Sequence, residues 1–160
     1  MQFDKVAILR LIVERLRADL AAAEKAVAIA RDTATHPDAQ GSSKYETMGL
    51  EASYLAQGQG QRLVEVERAL THFMQLKLPD PSQHIGLSSL VVLRDEQGNE
   101  QQLWLAADAG GMQLEYRGRT IIVITPKSPL GKALLGKCDG DIVELSIGEG
   151  NRCYDILEVY

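Results

Sequence analysis

The sequence has few aromatic residues, no long apolar run and no excess of positive charge. Aromatic side chains make up 5% of the 160 residues, so we expect a core of aliphatic residues and alanine, as in a largely helical chain. No apolar stretch approaches the ~20 residues that cross a membrane, and charges interrupt the N-terminal residues every few positions, unlike in a signal peptide. The formal net charge of −5 argues against general nucleic-acid binding, which needs a dense basic surface. We therefore expect a cytoplasmic chain with no membrane contact and no sequence-specific DNA binding.

Cysteine and histidine are also scarce. The two cysteines, Cys138 and Cys153, follow neither a metal-ligand nor a redox spacing, which favours two small, partly buried thiols. The three histidines, His36, His72 and His84, are scattered along the chain, so no zinc site is indicated. The sequence therefore predicts no cofactor of the chain's own.

Heptad stripes of apolar residues are the strongest pattern in the first half of the chain. Spacings of three and four residues alternate, as in helices that pack along one another. Asp4 precedes the first stripe and can cap its helix. The first stripe consists of Val6, Leu9, Val13, Leu16, Leu20, Ala23, Val27, Ala30 and Ala34, and the second of Tyr45, Gly49, Ala52, Ala56, Leu63, Val66, Leu70 and Phe73, with Gln59 as its polar exception between Ala56 and Leu63. Two helices joined by a short polar loop predict an antiparallel coiled-coil hairpin over residues 1–76, with its tip at about 35–44.

The predicted hairpin is longer than a small domain can cover. About thirty helical residues at 1.5 Å per residue make a rod of roughly 45 Å. Its far end is therefore expected to project into solvent or into a partner. Gly58 and Gly60 each cost about 1 kcal/mol relative to alanine, so they predict a weak or kinked point in the second helix.

The second half of the chain predicts short strands joined by turns. Two prolines make residues 77–84 a linker, because they end the preceding helix and stiffen the joint. Residues 108–119 show no strand pattern. In order, the predicted strands are Ser88 to Leu93, Gln101 to Ala107, Ile121 to Ile124, Ile142 to Ile147 and a last one from Cys153. Residues 85–160 are therefore predicted to form a small α+β domain of five strands and one short helix.

The densest local pattern lies between Ile121 and Ile147. Its β-branched start fits a buried strand. Ser128 stands where a helix N-cap is expected, and Pro129 at the first helical position. Gly136 predicts the end of this helix. The apolar face of the helix is assigned to Leu130, Leu134 and Leu135.

Positive charge is concentrated in the same region. Five basic residues and no acidic one lie between Tyr116 and Cys138, although residues 79–160 carry seven basic and twelve acidic side chains. A positive face on an acidic domain favours contact with an acidic partner. Lysines beside a small helix are also expected when they are simply solvated. The five basic residues are Arg117, Arg119, Lys127, Lys132 and Lys137.

This region resembles the C-terminal domain of the bacterial Gre transcript-cleavage factors, GreA and GreB. The family pattern is a strand, a Ser-Pro pair, a short helix ending in Leu-(Ile/Leu)-Gly-Lys and an acidic turn into another strand. Ser128 with Pro129, residues 134–137 and residues 141–145 match it, and the closing "CYDILEVY" resembles the family's last strand. The resemblance implies a coiled-coil hairpin followed by a sheet domain similar to FKBP-type prolyl isomerases.

The resemblance also implies a partner and a mode of action. In the Gre family the hairpin enters the secondary channel of RNA polymerase, where two tip acids help to hold the second Mg²⁺ that activates water for cleavage of backtracked RNA. The chain is thus expected to be an accessory factor rather than an enzyme, with indirect contact to the RNA 3′ end. The residues expected to bind the polymerase are Lys127, Ser128, Pro129, Lys132 and Lys137.

The predicted tip departs from the family pattern of an Asp and a Glu three residues apart. Without a gap, those two positions fall on Ser42 and Tyr45. With a tip loop about three residues longer, Asp38 and Glu46 take the equivalent places, and they would bind Mg²⁺ only jointly with RNA polymerase. Asp38 directly follows a proline and also fits a helix cap.

Several functions therefore remain open. The first is stimulation of RNA cleavage through the tip acids, and the second is regulation or inhibition of the polymerase from the secondary channel without cleavage. A prolyl isomerase would need a pocket lined by several aromatic residues, and Trp104, Tyr116, Tyr154 and Tyr160 are few and poorly spaced for one. A structural coiled-coil dimer would explain the stripes and leave the C-terminal domain without a role.

Overall fold

The computed structural model describes the backbone of residues 2–35 and 43–160 and the side-chain surroundings of residues 2–32 and 57–160. The helices within these ranges are α1 (Lys5–Thr35), α2 (Ser43–Gln75) and α3 (Pro129–Leu134). The strands are β1 (Leu90–Arg94), β2 (Glu100–Leu105), β3 (Gln113–Tyr116), β4 (Arg119–Ile124), β5 (Ile142–Ile147) and β6 (Gly150–Val159). The predicted α+β class, with two long helices before a sheet domain that carries one short helix, is confirmed. Of the helices described here, none is long and apolar enough to cross a membrane.

The chain divides into two compact units. The helical unit, Ile12–Gln75, contains α2 and most of α1. The sheet unit combines Leu76–Tyr160 with Met1–Leu11. The division differs from the predicted boundaries at the N-terminus, because the first eleven residues group with the sheet and not with the hairpin.

Asp4 caps α1, as predicted. Its Oδ1 accepts hydrogen bonds from the backbone N–H groups of Val6 at 3.0 Å and Ala7 at 3.1 Å. Both donors lie in the first turn, where no helical carbonyl is available to them. The aspartate therefore fixes the point at which the helix begins.

The apolar stripe predicted for α1 is confirmed in its later part and wrong at its start. The confirmed buried positions are Leu16, Ala23, Val27 and Ala30. Val6 is 51% exposed, whereas Ile8 and Ile12 are completely buried. Ile8 belongs to the sheet unit, so the sheet decides which side of the first helical turns is buried. Ala34 lies outside the described side chains.

The helix α2 runs without a break through Gly58 and Gly60, although the sequence predicts a weak point there. A methyl group added at either glycine would meet no atom within 4 Å. Val66 and Phe73 are buried as predicted, and Ala69 is buried beside them. Of the other predicted positions, Leu63 and Leu70 are half-buried, and the side chains of Tyr45, Gly49, Ala52 and Ala56 lie outside those described.

The six strands form one mixed sheet in the order β3-β4-β2-β1-β6-β5. The hairpin of β1 and β2 is confirmed, with Leu90 opposite Trp104 and Gly98 in the turn at φ 86°. The neighbours β2 and β4 are parallel, and the other adjacent pairs are antiparallel. The sheet unit therefore needs a crossing connection between β2 and β4.

The prediction of five strands is wrong, because β3 lies in the segment that shows no strand pattern. It pairs with β4, with Leu114 opposite Ile121. The turn between the two strands places Arg117 at φ 49° and Gly118 at φ 77°, two successive left-handed residues that suit a tight hairpin. β3 has only four residues and lacks a β-branched run, so neither its length nor its composition reveals it.

Both faces of the sheet are covered, which explains why four successive residues of β1 are buried. One face carries α3, whose Leu134 is packed in a cluster with Leu103, Leu105 and other apolar residues. The opposite face meets the N-terminal residues. There Phe3 packs 5.2 Å from the ring of Tyr160, and Lys5 Nζ lies 5.6 Å from the ring of Trp104.

Lys5 completes this second face and shows how closely the N-terminus is attached. Its Nζ donates a hydrogen bond to the Tyr160 carbonyl oxygen at 3.1 Å, and desolvation lowers the pKa of its amine. The backbone N–H of Asp4 donates to the Tyr116 hydroxyl at 3.3 Å. These contacts account for the grouping of the first eleven residues with the sheet.

Candidate functional site

The basic segment, residues 127–137, consists of α3 and the turns on either side of it. Ser128 is the N-cap of α3, and its Oγ accepts a hydrogen bond from Gly131 N at 3.1 Å. The same hydroxyl donates to the Thr125 carbonyl oxygen at 2.8 Å. Pro129 occupies the first turn, where its missing N–H leaves no hydrogen bond unmade. The predicted start of the helix is confirmed, and Ser128 has a structural role whatever else it contacts.

Gly131 lets the start of α3 lie directly against the end of β4. A Cβ built on this residue would stand 2.0 Å from the Thr125 carbonyl oxygen and 3.0 Å from Ser128 Oγ. No side chain fits at such distances. The close approach of helix and strand therefore depends on glycine at this position.

The end of α3 is fixed to a segment far away in the sequence. Gly136 lies at φ 79°, the left-handed conformation that ends many helices, as predicted. Its N–H donates to the Ile85 carbonyl oxygen, and Ile85 N–H donates to the Lys137 carbonyl oxygen, both at 2.8 Å. Leu134 is completely buried beneath the helix. Hydrogen bonds therefore hold the basic segment at both ends, and the buried side chain of Leu134 anchors its helix in the core.

The lysines of the basic segment point into solvent. Lys127, Lys132 and Lys137 are exposed, and none of the three forms an ion pair with any side chain in the described ranges. The two arginines nearby are engaged differently. Arg119 lies 3.6 Å from a carboxylate oxygen of Glu100, and the Arg117 guanidinium lies 5.1 Å from the ring centroid of Tyr116. The three lysines are thus the positive charges free to meet an anionic partner.

Two apolar side chains at this segment are exposed, Leu135 and Ile142. The assignment of Leu135 to the apolar face of the helix is therefore wrong. Leu135 is 41% exposed, and Ile142 at the start of β5 is 58% exposed. Leu135 is the C-cap of α3, and its ψ of 127° turns the backbone out of the helix, so its side chain leaves the face shared by Leu130 and Leu134. Because α3 packs against β5, the basic segment has apolar as well as charged surface to offer.

The predicted tip acids cannot be placed. Asp38 lies outside the described residues, and Glu46 belongs to α2 but its side chain is not among those described. Of the ungapped alternatives, Ser42 also lies outside the described residues, and Tyr45 belongs to α2 but its side chain is not among those described. Within the described ranges, no group of three or more His, Cys, Asp and Glu side chains is arranged to hold a metal ion.

The aromatic residues that a prolyl isomerase pocket would need lie in the interior. Trp104 is completely buried, and Tyr116 and Tyr154 are 6% and 8% exposed. Tyr160 is half-buried against Phe3. These rings build the core and the attachment of the N-terminus, and Trp104, Tyr116 and Tyr154 offer almost no aromatic surface to a peptide.

Comparison with known proteins identifies relatives of this chain. The family model described as "Transcription elongation factor, GreA/GreB, C-term" matches residues 80–160, which include the whole run from β1 to β6. GreA of Ruegeria pomeroyi is 29% identical over 135 residues, covering 84% of this chain and 79% of the relative. GreA of a Sulfurovum species is 32% identical over 114 residues, covering 68% of this chain and 67% of the relative.

Solved structures of similar proteins were also found. The crystal structure of GreA factor homolog 1 of Thermus thermophilus is 23% identical and covers 94% of this chain and 95% of its own, with a TM-score of 0.39. The corresponding homolog of Thermus aquaticus is 23% identical, covers 97% and 93%, and has the same TM-score of 0.39. From the match of the family model to the sheet unit, together with the curated relatives, we conclude that the chain belongs to the GreA/GreB family of transcription elongation factors.

Proposed function

We propose that this chain is a transcription elongation factor that binds RNA polymerase, inserts its helical hairpin into the secondary channel and acts on backtracked RNA. Family membership through residues 80–160 is the observation that carries the proposal. On this proposal the chain is an accessory factor of the polymerase active site rather than an enzyme in its own right. On the same proposal the chain acts in the cytoplasm, where the polymerase is.

Docking is assigned to the basic segment. Lys127, Lys132 and Lys137 are exposed and without ion pairs in the described part of the chain, and α3 is held rigidly beneath them by Leu134. A rigid charged surface with apolar residues beside it suits a protein partner, because little side-chain or backbone order is lost on binding. Ser128 and Pro129 contribute by fixing the helix on which Lys132 stands.

Entry into a channel is assigned to the helical unit. The helix α1 has 31 residues and α2 has 33, so each extends for roughly 45–50 Å at 1.5 Å per residue. The buried residues of α1 change from Ile12 and Leu16 to Ala23, Val27 and Ala30 toward its C-terminal end. Small side chains let two helices approach closely, which makes a pair of helices slender.

The chemistry of cleavage is assigned to Asp38 and Glu46. Mg²⁺ prefers carboxylate and water oxygens, and two-metal hydrolysis of a phosphodiester needs both metal ions in place. In this proposal the two carboxylates complete a Mg²⁺ site whose other ligands belong to the polymerase. The chain alone therefore needs no cofactor.

A secondary-channel regulator without cleavage activity is the alternative, and one observation on the tip sequence supports it. The family pattern of an Asp and a Glu three residues apart is missing, and the ungapped positions hold Ser42 and Tyr45, which cannot supply two carboxylates. Such a hairpin would fill the channel without completing the metal site. The two versions share the docking surface and differ only at the tip.

A transcript-cleavage assay tests the proposal. The chain is added to a backtracked elongation complex, and the RNA is followed on a sequencing gel. We expect shortened RNA with the wild type, and a loss of about 10²-fold or more in cleavage rate with Asp38→Ala or Glu46→Ala, because each removes a metal ligand. Glu24→Ala, at an exposed position on α1, is the matched control and should cleave like the wild type.

Two other results have different meanings. RNA that stays intact while the chain slows elongation would contradict cleavage and support the regulator. Intact RNA with unchanged elongation at saturating protein would contradict both versions.

A further inference from the structure

His84 and Cys138 are 54 residues apart in the sequence and adjacent in the fold. Cys138 Sγ lies 3.1 Å from His84 Nδ1, and the two residues form an isolated antiparallel bridge. The hydrogen bonds that join Ile85 to Gly136 and Lys137 lie directly next to this bridge. The backbone, and not only the two side chains, therefore keeps thiol and imidazole together.

Both members of the pair can be reached from solvent. Cys138 is half-buried and His84 is exposed. The other partner of His84 Nδ1 is the Gly136 carbonyl oxygen at 3.4 Å, a longer contact than the one to sulfur. Two carboxylates follow Cys138 closely in the sequence, Asp139 and Asp141, and Asp141 accepts a hydrogen bond from the backbone N–H of Cys138 at 2.8 Å. A thiol next to an imidazole that can take its proton is the arrangement found in reactive cysteines.

The second cysteine has opposite surroundings. Desolvation, followed by the carboxylates of Glu144, Glu96 and Asp155, raises the pKa of the Cys153 thiol. A raised pKa leaves less thiolate at neutral pH, and thiolate is the reactive form. Cys153 on β6 is thus the internal reference against which the reactivity of Cys138 can be measured.

We propose that Cys138 is a modification site for hydroperoxides, with His84 as the base that removes the thiol proton. The sulfur attacks one peroxide oxygen, so that an S–O bond forms as the O–O bond breaks. His84 takes the thiol proton and delivers it to the departing oxygen, which leaves as water when the oxidant is hydrogen peroxide. The sulfur is oxidised by two electrons to a sulfenic acid, and the peroxide is reduced by two.

The proposal does not depend on polymerase binding. Both residues lie in the sheet unit, and the geometry belongs to the isolated chain. Modification would add a polar oxygen to a residue that directly follows Lys137, at the end of the basic segment. Cys138 also begins a turn, which is closed by the hydrogen bond from its N–H to Asp141. The sulfenic acid would therefore lie just before the start of β5.

The test is site-resolved oxidation of the full chain by hydrogen peroxide at pH 7. Sulfenic acid is trapped with dimedone, and each cysteine is quantified by mass spectrometry. We expect Cys138 to react at least about tenfold faster than Cys153, and His84→Ala to slow Cys138 by about tenfold without changing Cys153, because a positioned base is lost. His72→Ala, on α2, is the matched histidine control and should leave both rates unchanged.

The imidazole ring stands beside the sulfur, so a purely shielding role predicts the opposite change. If His84 only covered Cys138, His84→Ala would make it react faster. His84→Gln keeps most of the bulk without the base and should be as slow as His84→Ala, while the Cys153 rate and far-UV circular dichroism report the fold. Equal rates for the two wild-type cysteines, or an unchanged or faster Cys138 in both His84 variants, would overturn the proposal.

Discussion

Single residues at the start of α3 show how local chemistry fixes a surface. Ser128 uses one oxygen to accept from Gly131 N and to donate to the Thr125 carbonyl oxygen. The cap and the following proline could be predicted from the sequence because both act within four residues. The exposure of Leu135 could not, since it depends on Gly136 bonding to Ile85, 51 residues earlier.

Gly131→Ala should destabilise the sheet unit by about 2–3 kcal/mol, because the new methyl group collides with the Thr125 carbonyl oxygen and the helix must move. The chain has one tryptophan, Trp104, completely buried on β2, so its fluorescence reports the unfolding of this unit in urea. The midpoint of the transition should shift to lower urea.

Gly86→Ala is the matched control. A methyl group there meets no atom within 4 Å, so the free energy of unfolding should change by less than about 0.5 kcal/mol. Similar changes for the two variants would show that the contact with Thr125 does not constrain α3.

At the level of whole elements, a periodic pattern predicts the buried side chains of a helix where a single neighbouring element covers it. The later part of α1 follows the predicted stripe at Ala23, Val27 and Ala30. The start of α1 does not follow the stripe, because Ile8 belongs to the sheet unit and the sheet decides which side chains are buried there. The sequence does not predict strand β3, for a related reason. Its four residues are a strand through pairing with β4, not through their own propensity.

The glycines of α2 lead to a prediction about this element. Gly58→Ala and Gly60→Ala should each stabilise the helical unit by about 1 kcal/mol, because both lie inside an unbroken helix where an added methyl group meets nothing. Urea unfolding followed by circular dichroism at 222 nm reports mainly the long helices. The Trp104 transition should stay where it is.

Ala28→Gly provides the reverse change at an exposed position of α1. It should destabilise the same unit by about 1 kcal/mol. If the alanine variants of α2 are neutral or destabilising, the helix needs a bend or a contact at Gly58 and Gly60 that the described surroundings do not contain.

At the scale of the whole molecule, the family could be predicted from a short region and the effect on transcription could not. The Ser-Pro pair and the Leu-Leu-Gly-Lys helix end between residues 128 and 137 correspond to real caps and contacts, so they identify the sheet unit. The two tip acids depend on the conformation of a loop whose length differs from the family pattern, and residue spacing alone does not determine it.

The proposed docking surface can be tested by comparing two exposed cations of the sheet unit. Lys132 stands on α3, is exposed and has no ion pair in the described part of the chain, whereas Arg152 is an exposed cation on β6, in the same unit but outside the basic segment. Reversing either charge changes the net charge equally. A difference between the two variants therefore reports position and not overall charge.

Binding of the labelled chain to core RNA polymerase, measured by fluorescence anisotropy with Lys132→Glu and Arg152→Glu in parallel, tests the central claim most directly. We predict binding that a GreA protein competes away, weakened about fivefold or more by Lys132→Glu and changed by less than about twofold by Arg152→Glu. Absence of binding, failure of GreA to compete, or equal affinities for the two variants would contradict the account.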